Sequence, residues 1–175
     1  MKKSLVIVVV ALMLLAGMQV SAAEPIVVGA IVDLSAATAL WGQSQARGIE
    51  MAIEEYNAAG GLLGRPLELK VYDFKMDVQE GITAYQRLAN QDKASVILGA
   101  PVSNLLLALA PIADQVKVPI VGEPSDQRAT TKSPGQPWPY IFASQATCVD
   151  YGETAASYAI YELGLTQLAV INNKG

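Results

Sequence analysis

Along the chain, short apolar runs alternate with stretches whose apolar residues recur at helical spacing. Residues 26–32, Ile-Val-Val-Gly-Ala-Ile-Val, form a continuous apolar run of strand length. Such a run suits a parallel strand covered on both faces. Ile49, Ala52, Ile53 and Tyr56 then sit at i, i+3, i+4 and i+7, with Glu50, Glu54 and Glu55 turned outward. This spacing predicts a helix over residues 48–58, stopped by Gly60-Gly61, because glycine reaches the left-handed conformation of a helix C-cap. Residues 67–72 alternate as Leu-Glu-Leu-Lys-Val-Tyr, a strand with one wetter side near a sheet edge. Asp77 and Glu80 have capping-box spacing before a helix with Ile82, Tyr85, Leu88 and Ala89 on one face.

Downstream, residues 96–99 read as a short buried strand, and Ser103 is placed to cap an apolar helix over residues 104–115. Residues 118–122 give a fourth strand. The stretch 123–140 is rich in Pro, Ser, Thr and Gly and reads as a long loop. Asp150 and Glu153 repeat the capping-box spacing, opening a helix with Ala155, Ala156, Ala159, Ile160 and Leu163 available for packing. Gly164 ends that helix, and residues 168–171 begin another buried strand. The alternation predicts an α/β fold: an open, mainly parallel sheet with helices on both faces. Residues 24–145 are expected to form one lobe, and residues 146–175 the start of a second.

The segment before this pattern reads as an address. Lys2 and Lys3 precede an apolar run over residues 5–15, and Val20-Ser21-Ala22 and Ser21-Ala22-Ala23 offer small-x-small cleavage sites. The run is shorter than the roughly 20 residues that span a bilayer. A cleaved signal peptide over residues 1–22 is therefore expected, with cleavage after Ala22 or Ala23 and delivery to the periplasm. Leu15-Ala16-Gly17-Met18 is similar to a lipoprotein box, but Met18 stands where the lipidated cysteine belongs, so no lipid anchor is expected.

Composition narrows the chemistry. The chain of 175 residues is 52% hydrophobic and 16% charged, which excludes a disordered chain. A net charge of -4 argues against nucleic acid as a partner. With no histidine and one cysteine, a Cys/His zinc site, a histidine-based triad and an internal disulfide are excluded. No cofactor or metal is expected, and Cys148 reads as a small buried side chain.

Candidate chemistry gathers at the carboxyl ends of the strands, where open α/β sheets bind small molecules. After the first strand come Ser35, Ala36, Thr38 and the aromatic Trp41; after the third, Pro101, Val102, Ser103 and Asn104 at a helix start. Unpaired N–H groups there favour an anionic group. After the fourth come Glu123, Pro124, Ser125 and Asp126. Trp41, Ser103, Asn104, Ser125 and Asp126 are the candidate ligand residues. Each has a plainer role open to it: Trp41 as cover for the sheet, Ser103 as an N-cap, Asp126 as a loop-ordering Asx residue. The run 60–65, Gly-Gly-Leu-Leu-Gly-Arg, is glycine-rich but joins a helix to a strand at the opposite end of the sheet, so it is a turn and not a phosphate cradle.

The order of leader, Val-Gly-Ala-Ile-Val-Asp-Leu-Ser, Trp41-Gly42 and Asn-x-x-Gly-Gly-x-x-Gly before a strand resembles the type I periplasmic binding proteins. The resemblance is to the branched-chain amino acid/amide group that serves ABC importers. It implies a two-lobed trap closing on a small solute, delivery to an inner-membrane permease, and no catalysis. It also implies that Trp41 covers the ligand, that Ser103 holds a ligand carboxylate with a helix-start N–H, and that Ser125 and Asp126 lie by the amino-acid head group. Asp126 and the preceding Glu123-Pro124 depart from the family pattern, and a carboxylate there is expected to favour an amide or an amine-bearing solute. Two other readings are weighed. A receptor ectodomain would need a membrane helix after the domain, and an enzyme would need Asp33, Glu123 or Asp126 to converge with a metal or nucleophile.

Overall fold

A computed structural model describes residues 24–169 and 171; the expected leader lies outside them. The elements alternate as expected: β1 (Ile26–Val32), α1 (Ala39–Ala58), β2 (Leu67–Asp73), α2 (Val78–Asn90), β3 (Val96–Gly99), α3 (Ser103–Val116) and β4 (Ile120–Gly122). A 3-10 turn (Gln127–Ala129) and three short strands follow, β5 (Thr131–Ser133), β6 (Gln136–Pro137) and β7 (Ile141–Ala143), and then α4 (Cys148–Ser157), which runs on as a π-helix over Tyr158–Glu162. The main sheet has the order β2-β1-β3-β4-β7, and every pairing in it is parallel. The wetter strand β2 is an edge strand, in line with its alternating pattern.

One face of the sheet is closed. Ile31, Ile97, Ile120 and Ile141 point into a core with Tyr85 and Leu88 of α2 and Leu105, Leu106 and Leu109 of α3. The Tyr85 ring is fully buried, and its hydroxyl donates to the Val118 carbonyl at 2.9 Å. Burial pushes this phenol up to about 12, so it stays a neutral donor at every physiological pH. Tyr85→Phe leaves that carbonyl without its donor and is expected to cost about 1 kcal/mol, lowering Tm by about 3 °C; an unchanged thermal melt would show that the hydroxyl contributes nothing. The other face carries α1. There Val28, Leu98 and Val121 line an open apolar groove with Ile49, Ala52, Ile53 and Tyr56. The helical stripe read from the sequence is therefore real, but it borders a groove: Tyr56 is 56% exposed.

Several boundaries differ from the sequence reading, each for a tertiary reason. Helix α1 begins at Ala39, nine residues before the start predicted at residue 48, because its first turns sit on the preceding loop and need no apolar stripe. Trp41 is thus on a helix and not in a loop. Asp77 caps α2 by accepting from the Glu80 N–H at 2.9 Å, whereas its own N–H goes to the Phe74 carbonyl. In α3 the N-cap is Val102, and Ser103 is the first helical residue. The stretch 123–140 is no plain loop, since the β5–β6 hairpin folds within it, and β7 beyond it completes the sheet. Three residues of Ile-Phe-Ala carry too little pattern to announce a strand; the free edge of β4 recruits them.

Helix α4 starts one turn earlier than the Asp150–Glu153 spacing suggested. Thr147 is its N-cap, and a reciprocal box forms with Asp150, whose carboxylate accepts from the Thr147 N–H at 2.7 Å. Its expected packing face does not pack: Ile160 is 47% and Leu163 55% exposed, because no described element lies against them. Cys148, expected to be buried, is exposed at the first position of this helix. Residues 168, 169 and 171 form no strand, for a strand exists only beside a partner and no described strand runs beside them; Val170 lies outside the described residues.

Candidate functional site

Because the sheet is parallel, the connections after β1, β2, β3, β4 and β7 all leave from one rim. The loop after β1 is held by carboxylates. Fully buried Asp33 accepts from the Ala36 N–H at 2.8 Å, the Thr38 N–H at 2.7 Å and the Thr38 hydroxyl at 2.8 Å. Burial by itself would raise this carboxyl, but the Ala36 N–H, the Thr38 hydroxyl and N–H and the Ser35 N–H outweigh it and hold it below the usual carboxylate range. The opening of α1 packs directly on this residue. A side-chain carbon at Gly42 would lie 1.9 Å from the Asp33 carbonyl oxygen, so only glycine lets the helix approach so closely. Trp41, one residue earlier, stays 56% exposed.

The third connection turns sharply. Gly99 and the buried Ala100 both take left-handed conformations, with φ of 95° and 51°, and the Ala100 N–H donates to the Ile31 carbonyl at 2.7 Å. This kink delivers Ser103 to the start of α3. The Ser103 hydroxyl accepts from the N–H of Ser125 at 3.0 Å and of Asp126 at 3.1 Å, tying the third connection to the fourth. A hydroxyl oxygen has two lone pairs, and both are taken; its proton remains free to donate. Beside it lie the N–H groups of Ser103 and Asn104, to which the helix offers no acceptor, whereas the Leu105 N–H already turns back to the Val102 carbonyl at 3.1 Å; the Asn104 side chain is exposed.

Ser103, Ser125 and Asp126 are therefore brought together, with Asn104 alongside. Trp41 is on the same rim, at the start of α1. Asp126 takes the Asx role: it accepts from the Arg128 N–H at 2.9 Å and opens the 3-10 turn. Its carboxylate also binds the Arg128 guanidinium, with the shortest contact at 2.6 Å. The side-chain hydrogen bond from Arg128, then its N–H, hold the Asp126 carboxyl below the usual range.

The sequence reading passed over several rim residues. Asp73, closing β2, accepts from the Leu34 and Lys75 N–H groups at 2.9 Å each and from the Ser35 hydroxyl. Gln145 donates to the Glu123 carbonyl at 2.7 Å, and the Cys148 N–H to the Ser125 carbonyl at 2.8 Å, so the fifth connection is also laced to the fourth. The Gln45 Oε1 is buried in the groove without a hydrogen-bond partner among the described residues. Only Asp73, in an Asp followed two residues on by Lys75 at a strand end, carried a signal, that of an Asx turn.

Comparison with known proteins agrees with this geometry. The family model described as periplasmic binding protein matches residues 25–175. An amino acid binding protein of Pseudomonas aeruginosa is 25% identical over 158 residues, covering 90% of this chain and 41% of its own length. The solved ABC transporter substrate-binding protein from Sphaerobacter thermophilus superposes with a TM-score of 0.71 at 30% identity, over 81% of this chain and 38% of that one. The branched-chain amino acid transporter substrate-binding protein LivJ from Streptococcus pneumoniae, solved in complex with isoleucine, gives 0.67 at 25% identity, over 80% of this chain and 39% of that one. The chain thus spans about two fifths of the length of these relatives. A parallel α/β lobe with its loops laced at one rim, matched by the family model along the described residues, belongs to the periplasmic binding protein family.

Proposed function

We propose that this chain supplies the first lobe of a solute-binding protein that captures an amino acid, an amide or a related small polar solute and presents it to an ABC importer in the inner membrane. The observation that carries the reading is the Ser103 hydroxyl. With both lone pairs occupied by the Ser125 and Asp126 N–H groups, it can only donate toward the rim. Next to the unpaired N–H groups of the α3 start, it suits a carboxylate or carbonyl oxygen of the solute. Trp41 offers an exposed apolar wall, and Asn104 and Ser125 add polar contacts. The Asp126 charge is balanced by Arg128, so a zwitterionic amino acid or an amide meets no net charge there. The chemistry is reversible capture, with a second lobe closing over the solute and shifting the population toward the closed form. The leader over residues 1–22 fits export to the periplasm.

Calorimetric titration with L-isoleucine, L-leucine, their amides and simple carboxylates tests this. Saturable binding of an amino acid or amide is expected, weak because one lobe makes only part of the contacts. No heat from any of these solutes up to about 1 mM, a level that detects interactions of about 4 kcal/mol, would remove the reading.

A further inference from the structure

Val32 and Asp73 are register partners at the ends of β1 and β2. The carboxylates of Asp33 and Asp73 consequently leave two adjacent strands at the same level, and one loop lies between them. From within the loop, Asp33 binds the N–H groups of Ser35, Ala36 and Thr38 and the Thr38 hydroxyl. From the neighbouring strand, Asp73 binds the Leu34 N–H and the Ser35 hydroxyl, and it holds its own turn through the Lys75 N–H. The N–H groups of residues 34, 35, 36 and 38 therefore all end on these two side chains. The Phe74 N–H adds a bond to the Val32 carbonyl at 3.0 Å, and the Thr38 hydroxyl lies 3.2 Å from the Met76 sulfur. Thr38 is the residue from which α1 starts, and Trp41 stands three residues beyond it.

We propose that Asp73 is a positioning residue for solute binding: acting from the edge strand, it fixes the loop over residues 34–38 and so sets where the first turn of α1 presents Trp41. The proposal rests on the reading of this rim as the solute site. The two carboxylates divide the work unequally. Asp33 is fully buried under the helix, so its loss disturbs the lobe itself. Asp73 is only partly buried on an edge strand, so its loss frees the loop while the sheet and core persist. What the loop requires of Asp73 is one acceptor oxygen for the Leu34 and Lys75 N–H groups and a hydrogen-bond partner for the Ser35 hydroxyl. Asparagine keeps that oxygen, and the Ser35 hydroxyl can turn to accept from its amide.

The test compares the whole chain with its Asp73→Ala and Asp73→Asn variants, each carrying Trp138→Phe so that Trp41 is the sole tryptophan. Three quantities are read: Tm, the fluorescence anisotropy of Trp41, and the affinity for L-isoleucine as probe. Asp73→Ala removes three hydrogen bonds and is expected to lower the anisotropy, to weaken isoleucine binding about tenfold, and to lower Tm by only a few degrees, about 3 °C, because the sheet and core persist. Asp73→Asn is expected to restore both. Anisotropy and affinity equal to the parent in Asp73→Ala would overturn the proposal, and so would a fall in Tm that accounts for the whole loss and is not rescued by asparagine. Should the parent chain bind isoleucine too weakly to measure, the tightest binder of the amino acids and amides titrated takes its place as probe; should it bind none of them, the solute reading fails by itself, and the anisotropy of the two variants still decides whether Asp73 positions Trp41.

Discussion

Replacing Gly42 by alanine is expected to destabilise the lobe by about 3 kcal/mol, the upper part of the range for overpacking, and to lower Tm by about 10 °C. The sign runs against ordinary helix propensity. In an exposed helix interior, alanine is favoured over glycine by about 1 kcal/mol. At Gly42 the added carbon would meet the Asp33 carbonyl oxygen at 1.9 Å, with the Asp33 backbone N and C at 2.7 Å. These are backbone atoms of the residue whose carboxylate organises the loop, so they cannot yield as a side-chain tip would. Gly48, six residues along the same helix, is the control: a carbon there meets nothing within 4 Å. Gly48→Ala should raise stability by about 1 kcal/mol through propensity alone. Thermal melts of the two variants check this, and equal shifts of the same sign would mean that α1 does not pack on Asp33 as described.

Ser103→Ala is expected to act on binding and stability together. Two N–H groups lose their acceptor. The one on Ser125 can turn to water, whereas that on partly buried Asp126 pays more of its desolvation, so the stability cost is about 1–2 kcal/mol. The outward hydroxyl is lost as well, and a hydrogen bond to a charged solute group is worth about tenfold to a hundredfold in affinity. Ser103→Thr keeps the hydroxyl and is expected to recover most of both. Calorimetry with a bound amino acid or amide, beside a melt, separates the two effects. Affinity unchanged in Ser103→Ala would place the solute elsewhere on the rim.

The candidate site was legible in part. Ser103, Ser125 and Asp126 were nominated because residues at the carboxyl ends of parallel strands share a rim, and two hydrogen bonds join them. What the residues do there was not legible. Ser103 has the composition of an N-cap and is instead an acceptor for a different connection, because Val102 already adopts the extended conformation that precedes the helix. For Asp126 the sequence leaves a ligand contact and an Asx role both open; the structure shows the Asx bond to the Arg128 N–H together with an ion pair to the Arg128 side chain, which no spacing announces. That Asp33 and Asp73 anchor one loop is not legible in the sequence: Asp33 follows β1 as an isolated acid, and the Asx signal at Asp73 points to its own turn, not to a loop 39 positions away.

By itself, the sequence determined the strand runs of β1 to β4, the helical stripes of α1 and α2, the alternation that makes the sheet parallel and the rim on which its loops meet. These follow from spacings of two to four residues, which act through backbone geometry wherever the chain goes. Only the tertiary structure decided that α1 begins at Ala39, that β7 joins the sheet, that Thr147 and not Asp150 caps α4, and that the carboxylates at 33 and 73 grip one loop. Those outcomes depend on groups that parallel register brings together from far apart: Leu34 with Asp73 across 39 positions, and Ser103 with Ser125 across 22. A bond between such positions leaves no periodic trace in the chain, because its strength is set by where the strands end in space and not by the residues on either side.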